Sequence, residues 1–244
     1  MTKMNRWSVI TAAAAVIGGG VVVGADICPD AAMVASEVKV TEGVGGFVGD
    51  LDAGDGFGRQ LADLGDVDGD GVPDMAAGAP LDADGGSDQG AVWVLFLNPD
   101  GTVRAEQKIS ELVGGFGGVL DPGDLFGVSV TGIGDLDGDG VPDLAAGAIG
   151  DDDGGNSRGA MWILFLNADG TVRAEQKVSS TAGGFGSGLS DDGSFAFDIA
   201  DLGDLDGDGV QDLAVGNYFD DDGGIDAGAV WILFMHTDGT GREI

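Results

Sequence analysis

Three short loops of this chain each carry four aspartates, at positions 1, 3, 5 and 9, and the loops recur at an interval of 69 residues. The carboxylates are, in chain order, Asp66, Asp68, Asp70 and Asp74; Asp135, Asp137, Asp139 and Asp143; and Asp204, Asp206, Asp208 and Asp212. Four carboxylates in so short a loop repel one another strongly unless a hard cation shares their oxygens. The pattern therefore predicts calcium, with about three ions per chain.

Another class of calcium motif begins in the same way. A helix-loop-helix motif shares the Asp-x-Asp-x-Asp-Gly start but closes its site with a glutamate at position twelve. That position holds Ala77, Ala146 and Val215 here, which excludes the motif. A solvated acidic turn remains the alternative, although a chance turn would not repeat all four carboxylates in three copies.

The segments between the loops predict the elements that must position them. In the second 69-residue unit we expect four strands, at 126–133, 143–148, 159–166 and 172–179, and no helix. The third strand is apolar at every position, which requires both of its faces to be covered, whereas the fourth alternates as a half-exposed strand does. A four-stranded sheet stacked between similar sheets is a propeller blade. The predicted fold is an all-β, β-propeller-type array of three four-stranded blades.

One tryptophan recurs in each predicted third strand, at Trp93, Trp162 and Trp231. Their spacing is that of the repeat, and each lies within a continuous apolar run. We expect these rings to pack in the core rather than to form a platform for a cofactor or a carbohydrate.

The composition restricts the partners. Forty-three acidic residues against ten basic ones give a formal net charge of -33, which disfavours nucleic acid and anionic membrane surfaces. Cations or basic surfaces are the expected partners. The 49 glycines follow no Gly-X-Y period and separate strands instead. With Cys28 as the single cysteine, no disulfide can form within the chain.

The first residues predict export. Lys3 and Arg6 precede an uncharged segment, 7–25, that is rich in alanine, valine and glycine and ends in small residues. We read 1–25 as a signal peptide cleaved before Asp26 and 26–36 as a linker, so that the mature protein is secreted and not inserted in a membrane. The alternative is an uncleaved anchor, since 19 uncharged residues can just span a bilayer. The extracellular space or cell surface is the expected location, with the periplasm as a variant.

Further motifs connect the loops to a known family. Phe126-Gly127 opens a unit, the Asp loop follows, and Gly78-Ala-Pro80 stands after the first Asp loop. This order resembles the FG-GAP repeat of integrin α-chain propellers, over about 37–244. The third unit departs from it, with Phe195-Ala196, with Gln211 in place of proline and with Gly216-Asn-Tyr, but it keeps all four aspartates.

The resemblance implies a mainly structural calcium ion in the hairpin between the first two strands of each blade, and ligand binding on the opposite face. Besides the twelve aspartates, it implies a backbone carbonyl ligand at position 7 of each loop. These residues are Val72, Val141 and Val210.

A second acidic cluster lies between the predicted second and third strands of each unit. It comprises Asp82 and Asp84; Asp151, Asp152 and Asp153; and Asp220, Asp221 and Asp222. Glycine pairs follow each cluster, so a flexible solvated loop is the first interpretation. A second cation or a basic ligand at this site is the alternative.

The sequence contains no recognisable catalytic constellation. The single histidine, His236, occupies the turn position of Asn98 and Asn167 in the other units, and Cys28 lies outside the repeats. The favoured function is a secreted calcium-binding propeller module that is adhesive or binds an extracellular protein or glycan ligand, without catalysis. The alternatives are a substrate-binding or targeting module of an extracellular hydrolase or lyase system, or a calcium-assisted activity that the sequence does not reveal.

The number of blades raises the question of closure. Residues 37–42 align at 69 residues with 106–111, so the sequence starts with a fourth strand and ends at Ile244 before another. Rings ordinarily contain four to eight blades. We therefore expect either a homodimer, in which each N-terminal strand completes the last blade of the partner, or a chain cut from a longer array.

Overall fold

The computed structural model describes Val34, residues 36–185 and residues 188–242. The chain divides into two units, Met1–Glu37 and Val38–Ile244, and all repeats lie in the second unit. The predicted signal peptide, 1–25, and most of the predicted linker fall outside the described residues. No helix within the described part of the chain is long and apolar enough to cross a membrane.

Eleven antiparallel strands form three sheets in the described residues. Blade 1 contains β1 (Leu61–Gly65), β2 (Asp74–Ala79), β3 (Ala91–Leu97) and β4 (Val103–Ile109). Blade 2 contains β5 (Val130–Gly134), β6 (Asp143–Ala148), β7 (Ala160–Leu166) and β8 (Val172–Val178). Blade 3 contains β9 (Phe195–Gly203), β10 (Asp212–Asn217) and β11 (Ala229–Leu233). Each sheet follows chain order as a meander, and the first strands β1, β5 and β9 lie next to one another.

The predicted fold class is confirmed: the described residues are all-β, with stacked blades of the propeller type. Blade 3 has three strands among the described residues, as the alignment of 37–42 with β4 predicts. Residues 37–42 themselves form no strand, and only the isolated bridge between Thr41 and Val44 involves them. In blade 2, β5 starts at Val130 rather than at 126, after a turn that includes Gly127 with a φ of 83°. In blade 3 the equivalent turn, with Ala196 at a φ of 64°, lies within β9 as an irregularity in its pairing.

The predicted pattern of burial is present in blades 1 and 2. Every residue of β7 is buried, because one face packs within blades 1 and 2 and the other against blade 3. Strand β8 is half-exposed as predicted but does not alternate strictly: Val172 and Val178 are buried at its two ends, and the residues between them are exposed or half-buried. Trp93 and Trp162 are 4% and 5% exposed, so the core role predicted for them is confirmed. Trp231 is only half-buried, because no strand covers it in blade 3.

Close backbone contact joins successive blades. A Cβ atom added at Gly78 of blade 1 would overlap the carbonyl oxygen of Gly127 in blade 2. The same holds for Gly147 of blade 2 and the carbonyl oxygen of Ala196 in blade 3. Glycine at this position thus permits the Phe-Gly turn of one blade to lie directly on the sheet before it. Ala196, which replaces the glycine of that turn, keeps its left-handed backbone with a φ of 64°.

Candidate metal centres

The Asp loops connect the first and second strands of each blade and are shaped by their own carboxylates. In blade 1, Asp66 accepts hydrogen bonds from the backbone N–H groups of Asp70 and Gly71, at 3.0 and 2.8 Å. Asp70 in turn accepts the N–H of Val72 at 2.8 Å. The same bonds recur at Asp135 and Asp139 of blade 2 and at Asp204 and Asp208 of blade 3. The loop therefore gathers its carboxylates around its own backbone before any ligand is considered.

The aspartate at position 9 ties each loop to the third strand. The two oxygens of Asp143 accept the N–H groups of Leu136, at 2.9 Å, and of Leu166, at 3.1 Å. Asp74 and Asp212 make the equivalent pairs of bonds, and all three carboxylates are at most 1% exposed. Burial, with some repulsion from Asp137 and Asp139, raises the pKa of Asp143 to about 7 despite those two hydrogen bonds. Position 9 thus has a structural task that the sequence pattern did not reveal.

Three of the four carboxylates predicted to bind calcium lie together in each loop, with oxygens within 4.8 Å of one another. The groups are Asp66, Asp68 and Asp70; Asp135, Asp137 and Asp143; and Asp204, Asp206 and Asp212. The fourth predicted carboxylate, which is Asp74, Asp139 or Asp208, is not a member of its group. Two oxygens that bind one calcium ion at about 2.3–2.6 Å lie at most about 5 Å apart, so these clusters fit a single hard cation in donor type and in spacing.

The valines at position 7 have two local roles. Val72, Val141 and Val210 are half-buried, and each donates its backbone N–H to the aspartate at position 5. The side chains of Val141 and Val210 pack against the cores between blades. This anchoring fixes the part of the loop that contains the predicted carbonyl ligands.

An arginine that we did not predict as a site residue completes each loop. In blade 2, one nitrogen of Arg173 lies 2.5 Å from Asp137 and 2.8 Å from Asp139. Arg104 pairs in the same way with Asp68 and Asp70, and Arg242 with Asp206 and Asp208. Each arginine follows the first aspartate of its loop by 38 residues, a constant spacing that could have identified it. One guanidinium leaves each four-aspartate loop with a formal charge of about -3, so the demand for a cation persists.

The second acidic clusters differ from the solvated loops that we expected. Asp82 and Asp151 are 2% and 3% exposed, and a lysine of the fourth strand reaches each of them. Lys108 lies 2.6 Å from Asp82, and Lys177 lies 2.6 Å from Asp151. The interpretation as a solvated loop is therefore wrong for these residues, because the apolar stems and charged ends of the lysines cover them. The cation at this site is part of the chain.

The lysines are held by charge and by an aromatic ring. Lys177 lies 5.3 Å from the centre of the Trp162 ring, and Lys108 lies 5.5 Å from that of Trp93. Burial alone would lower the pKa of Lys177, but its bonds to Asp151 and Asp153 outweigh that effect and raise the pKa. Lys177 therefore keeps its charge at neutral pH, whereas burial raises the pKa of the Asp151 carboxyl despite the same bond.

The histidine prediction is confirmed. The backbone N–H of His236 donates to Thr240 at 2.8 Å, and Asn98 and Asn167 make the same turn bond to Thr102 and Thr171. His236 is thus a surface turn residue.

Comparison with known proteins agrees with this geometry. The FG-GAP repeat model matches residues 57–95 and 198–233, which cover the first three strands of blade 1 and most of blade 3. Human integrin alpha-7 is 31% identical over 68% of this chain, and Drosophila melanogaster integrin alpha-PS5 is 37% identical over 62%. Xenopus laevis integrin alpha-5 is 42% identical over 39%.

Blades with these turns and acidic loops define a β-propeller-type repeat protein. The chain belongs to the FG-GAP repeat proteins and is integrin-α-like. It spans only 12% of human integrin alpha-7 and 14% of Drosophila integrin alpha-PS5.

Proposed function

We propose that this protein is a secreted, calcium-binding propeller module that binds a protein or glycan ligand and has no catalytic activity. One observation carries the proposal above all: the Asp loop of each of the three blades contains a cluster of three carboxylates within 4.8 Å, and the aspartates at positions 1 and 3 belong to every cluster. A structural metal site is expected to recur with the repeat, because every blade has the same loop to stabilise.

Each calcium ion is held by the four aspartates of one Asp loop and by the carbonyl of its position-7 valine. The arginine 38 residues after the first aspartate of the loop, which in blades 1 and 2 lies on the fourth strand, neutralises the outer oxygens of positions 3 and 5 and leaves the remaining oxygens to the ion. The ion draws the loop into one conformation and so fixes the end of the hairpin between the first two strands.

The ligand-binding role is supported by the similarity to integrin α chains and by the arrangement of the loops. In an antiparallel meander, the loop between strands one and two and the loop between strands two and three lie at opposite ends of strand two. The metal sites therefore occupy one end of the blades, and the more variable loops at 80–90, 149–159 and 218–228 occupy the other. Variable loops on a rigid scaffold are a common place for recognition.

The absence of catalysis is inferred from symmetry. A catalytic site needs unlike groups in unlike roles, such as a nucleophile beside a base. The acidic groups here repeat in equivalent positions, and in blade 2 Asp137, Asp151 and Asp143 each have an arginine, a lysine or a backbone N–H as a partner rather than a nucleophile or base.

The test is a binding screen. The purified chain, immobilised on beads, would be exposed to glycans and to extracellular matrix proteins, with 1 mM calcium and then with a chelator. We expect capture in calcium that is lost with the chelator and weakened in the variant Asp137→Ala/Asp139→Ala, which keeps two of the three sites. The variant Asp169→Ala, which changes an exposed turn aspartate, is the matched control. Turnover of a polysaccharide or ester substrate by the pure chain would contradict the non-catalytic role.

A further inference from the structure

The two interfaces between blades use the same contacts. The backbone N–H of Phe126 in blade 2 donates to Gln89 of blade 1 at 2.8 Å, and that of Phe195 in blade 3 donates to Arg158 of blade 2 at 2.9 Å. Each interface also buries the face of the third strand. In blade 2 that face includes Met161 and Ile163, both 0% exposed. A receiving face and an entering Phe-Gly turn therefore make up each interface.

Blade 3 presents a third receiving face that no described residue covers. Val230 and Ile232, the equivalents of Met161 and Ile163, are 70% and 43% exposed. No atom comes closer than 3.6 Å to a Cβ added at Gly216, the equivalent of Gly78 and Gly147. The carbonyl of Ala227, equivalent to that of Gln89, accepts no backbone hydrogen bond from the described residues. A cleft of about 710 Å³ lies over this face.

Blade 1 presents the entering half of the same interface. The backbone N–H of Phe57, the equivalent of Phe126, donates no hydrogen bond within the described chain. Phe57 is half-buried, whereas Phe126 and Phe195 are 0% exposed. Nothing lies within 4 Å of a Cβ added at Gly58, whereas one at Gly127 would overlap the carbonyl oxygen of Ala91 in blade 1. The two open faces are thus the complementary halves of a contact that the chain makes twice internally.

The segment before blade 1 is positioned to supply the absent strand. In blades 1 and 2 a turn leads from the fourth strand to a Gly-Gly-Phe segment on the next blade, where the carbonyl of Gly114 accepts the N–H of Val172 at 2.7 Å. Gly45 accepts the N–H of Val103 at the same distance, and the preceding turn is closed by the bridge between Thr41 and Val44. Residues 38–40 therefore lie where the fourth strand of a preceding blade would end.

The charges indicate that residues 38–40 pair with blade 3 of another copy. Lys39 is the equivalent of Lys108 and Lys177; it is exposed and makes no ion pair among the described residues. Asp220, the equivalent of Asp151, is 2% exposed and has no lysine or arginine beside it in the described chain. It accepts hydrogen bonds from the side-chain amide of Asn217 at 2.7 Å and from the N–H of Asp222 at 3.0 Å. These bonds offset part of the cost of burying the charge, but no cation of the described chain balances it. The unpaired lysine and the unpaired acidic cluster therefore match.

We propose that two copies of this chain associate head to tail, so that blade 1 of each copy packs on the open face of blade 3 of the other. Residues 38–40 then pair with β11 of the second copy as the end of its fourth strand, and Lys39 enters between Asp220 and Asp222 over the ring of Trp231. Two equal interfaces close a ring of six blades, within the four to eight that propellers use, whereas three copies would need nine.

The register of the internal sheets allows a direct test by cross-linking. Val92 pairs with Ile109 in blade 1 and Met161 with Val178 in blade 2, which places Val40 opposite Val230 in the dimer. With Cys28→Ser as background, the pair Val40→Cys/Val230→Cys should oxidise to a covalent dimer. The matched control Val40→Cys/Ile232→Cys shifts the register by two residues, to a Cα separation of about 7–8 Å that a disulfide does not span. A disulfide within one chain, or equal cross-linking of both pairs, would overturn the proposal.

The unmodified chain provides the second test. Sedimentation in 1 mM calcium should give a dimer. Lys39→Asp should weaken dimerisation about 1,000-fold, because each of the two interfaces loses one partner of a buried charge pair, at about 30-fold per pair. The exchange Lys39→Asp/Asp222→Lys should restore much of the loss. A monodisperse monomer for the unmodified chain, or a Lys39→Asp variant as dimeric as the parent, would contradict the assembly.

Discussion

The Asp loops and the second acidic clusters contain the same residue type, but they are neutralised in different ways. In the second clusters of blades 1 and 2, a lysine of the same blade reaches a buried aspartate, as Lys177 reaches Asp151 at 2.6 Å. In the Asp loops, one arginine reaches only the outer oxygens at positions 3 and 5, and the exposed loop keeps an excess of negative charge. The comparison teaches that repeated acidity alone does not identify a metal site. A metal site is indicated where the lysines and arginines of the chain do not neutralise the clustered carboxylates.

Removing calcium should lower the free energy of unfolding more than any change to the second acidic clusters does. At 1 mM calcium and an assumed dissociation constant of 0.1 mM, each site contributes about 1.4 kcal/mol, so three sites contribute about 4 kcal/mol. Thermal unfolding followed by circular dichroism, with calcium and with a chelator, measures the difference. Magnesium at the same concentration is the control, because its octahedral preference suits this loop poorly. An unchanged melting temperature would contradict the distinction between the two kinds of cluster.

Replacing Lys177, the lysine that pairs with the second cluster of blade 2, should have the next largest effect on the free energy of unfolding. Lys177→Met leaves Asp151 buried without a partner, and we expect a loss of about 3 kcal/mol in the free energy of unfolding. Because the pair does not involve the metal, the loss should be the same with calcium and with a chelator. Arg173→Met, on the same strand but at the exposed pair, is the matched control and should destabilise less. If Lys177→Met lost stability in calcium but not in the chelator, the second cluster would depend on the metal, and the distinction between it and the Asp loop would be wrong.

The pH dependence of stability should also distinguish the second cluster of blade 2 from the Asp loops. Burial raises the pKa of Asp124, next to Asp151 and Lys177, to about 6. A carboxyl with a raised folded-state pKa favours the folded state most at low pH, and that contribution is lost as the pH rises from about 4 through 6. Asp124→Asn should therefore gain about 1–3 kcal/mol relative to the parent between pH 4 and 7. Urea unfolding across this range tests the direction, and a parallel pH response of the two proteins would contradict it.

The smallest effect concerns a single Asp loop. Asp137→Ala/Asp139→Ala removes one of the three sites and should cost about 1–2 kcal/mol in calcium. In the chelator the cost should be much smaller, because the deleted carboxylates then mainly repel one another. Chemical unfolding of variant and parent under both conditions measures the two costs. Equal costs would assign these aspartates a purely structural role.

Much of the fold could be predicted from the sequence because its signals recur at a fixed interval. The bounds of β6 were predicted exactly, and those of β7 and β8 to within one residue, since apolar runs and turns mark them. The start of β5 was missed because the positive φ of Gly127 depends on contact with the neighbouring blade.

Less of the chemistry around the sites could be predicted. The three clusters of Asp loop carboxylates follow from local spacing alone. The partners of these loops and of the second clusters, Arg173 and Lys177, come from a strand about 20 to 40 residues away, and only the antiparallel pairing of β7 with β8 brings them near. The burial of Asp151 likewise depends on that long-range contact, so composition alone predicted a solvated loop.

Calorimetric titration of the purified chain with calcium measures directly whether the Asp loops bind the ion. We expect a stoichiometry of about three ions per chain, falling to about two for Asp137→Ala/Asp139→Ala, and unchanged for Lys177→Met if that variant is folded at the temperature used. Unchanged stoichiometry in the aspartate variant, or no heat of binding to the unmodified chain, would contradict the assignment of the Asp loops as calcium sites.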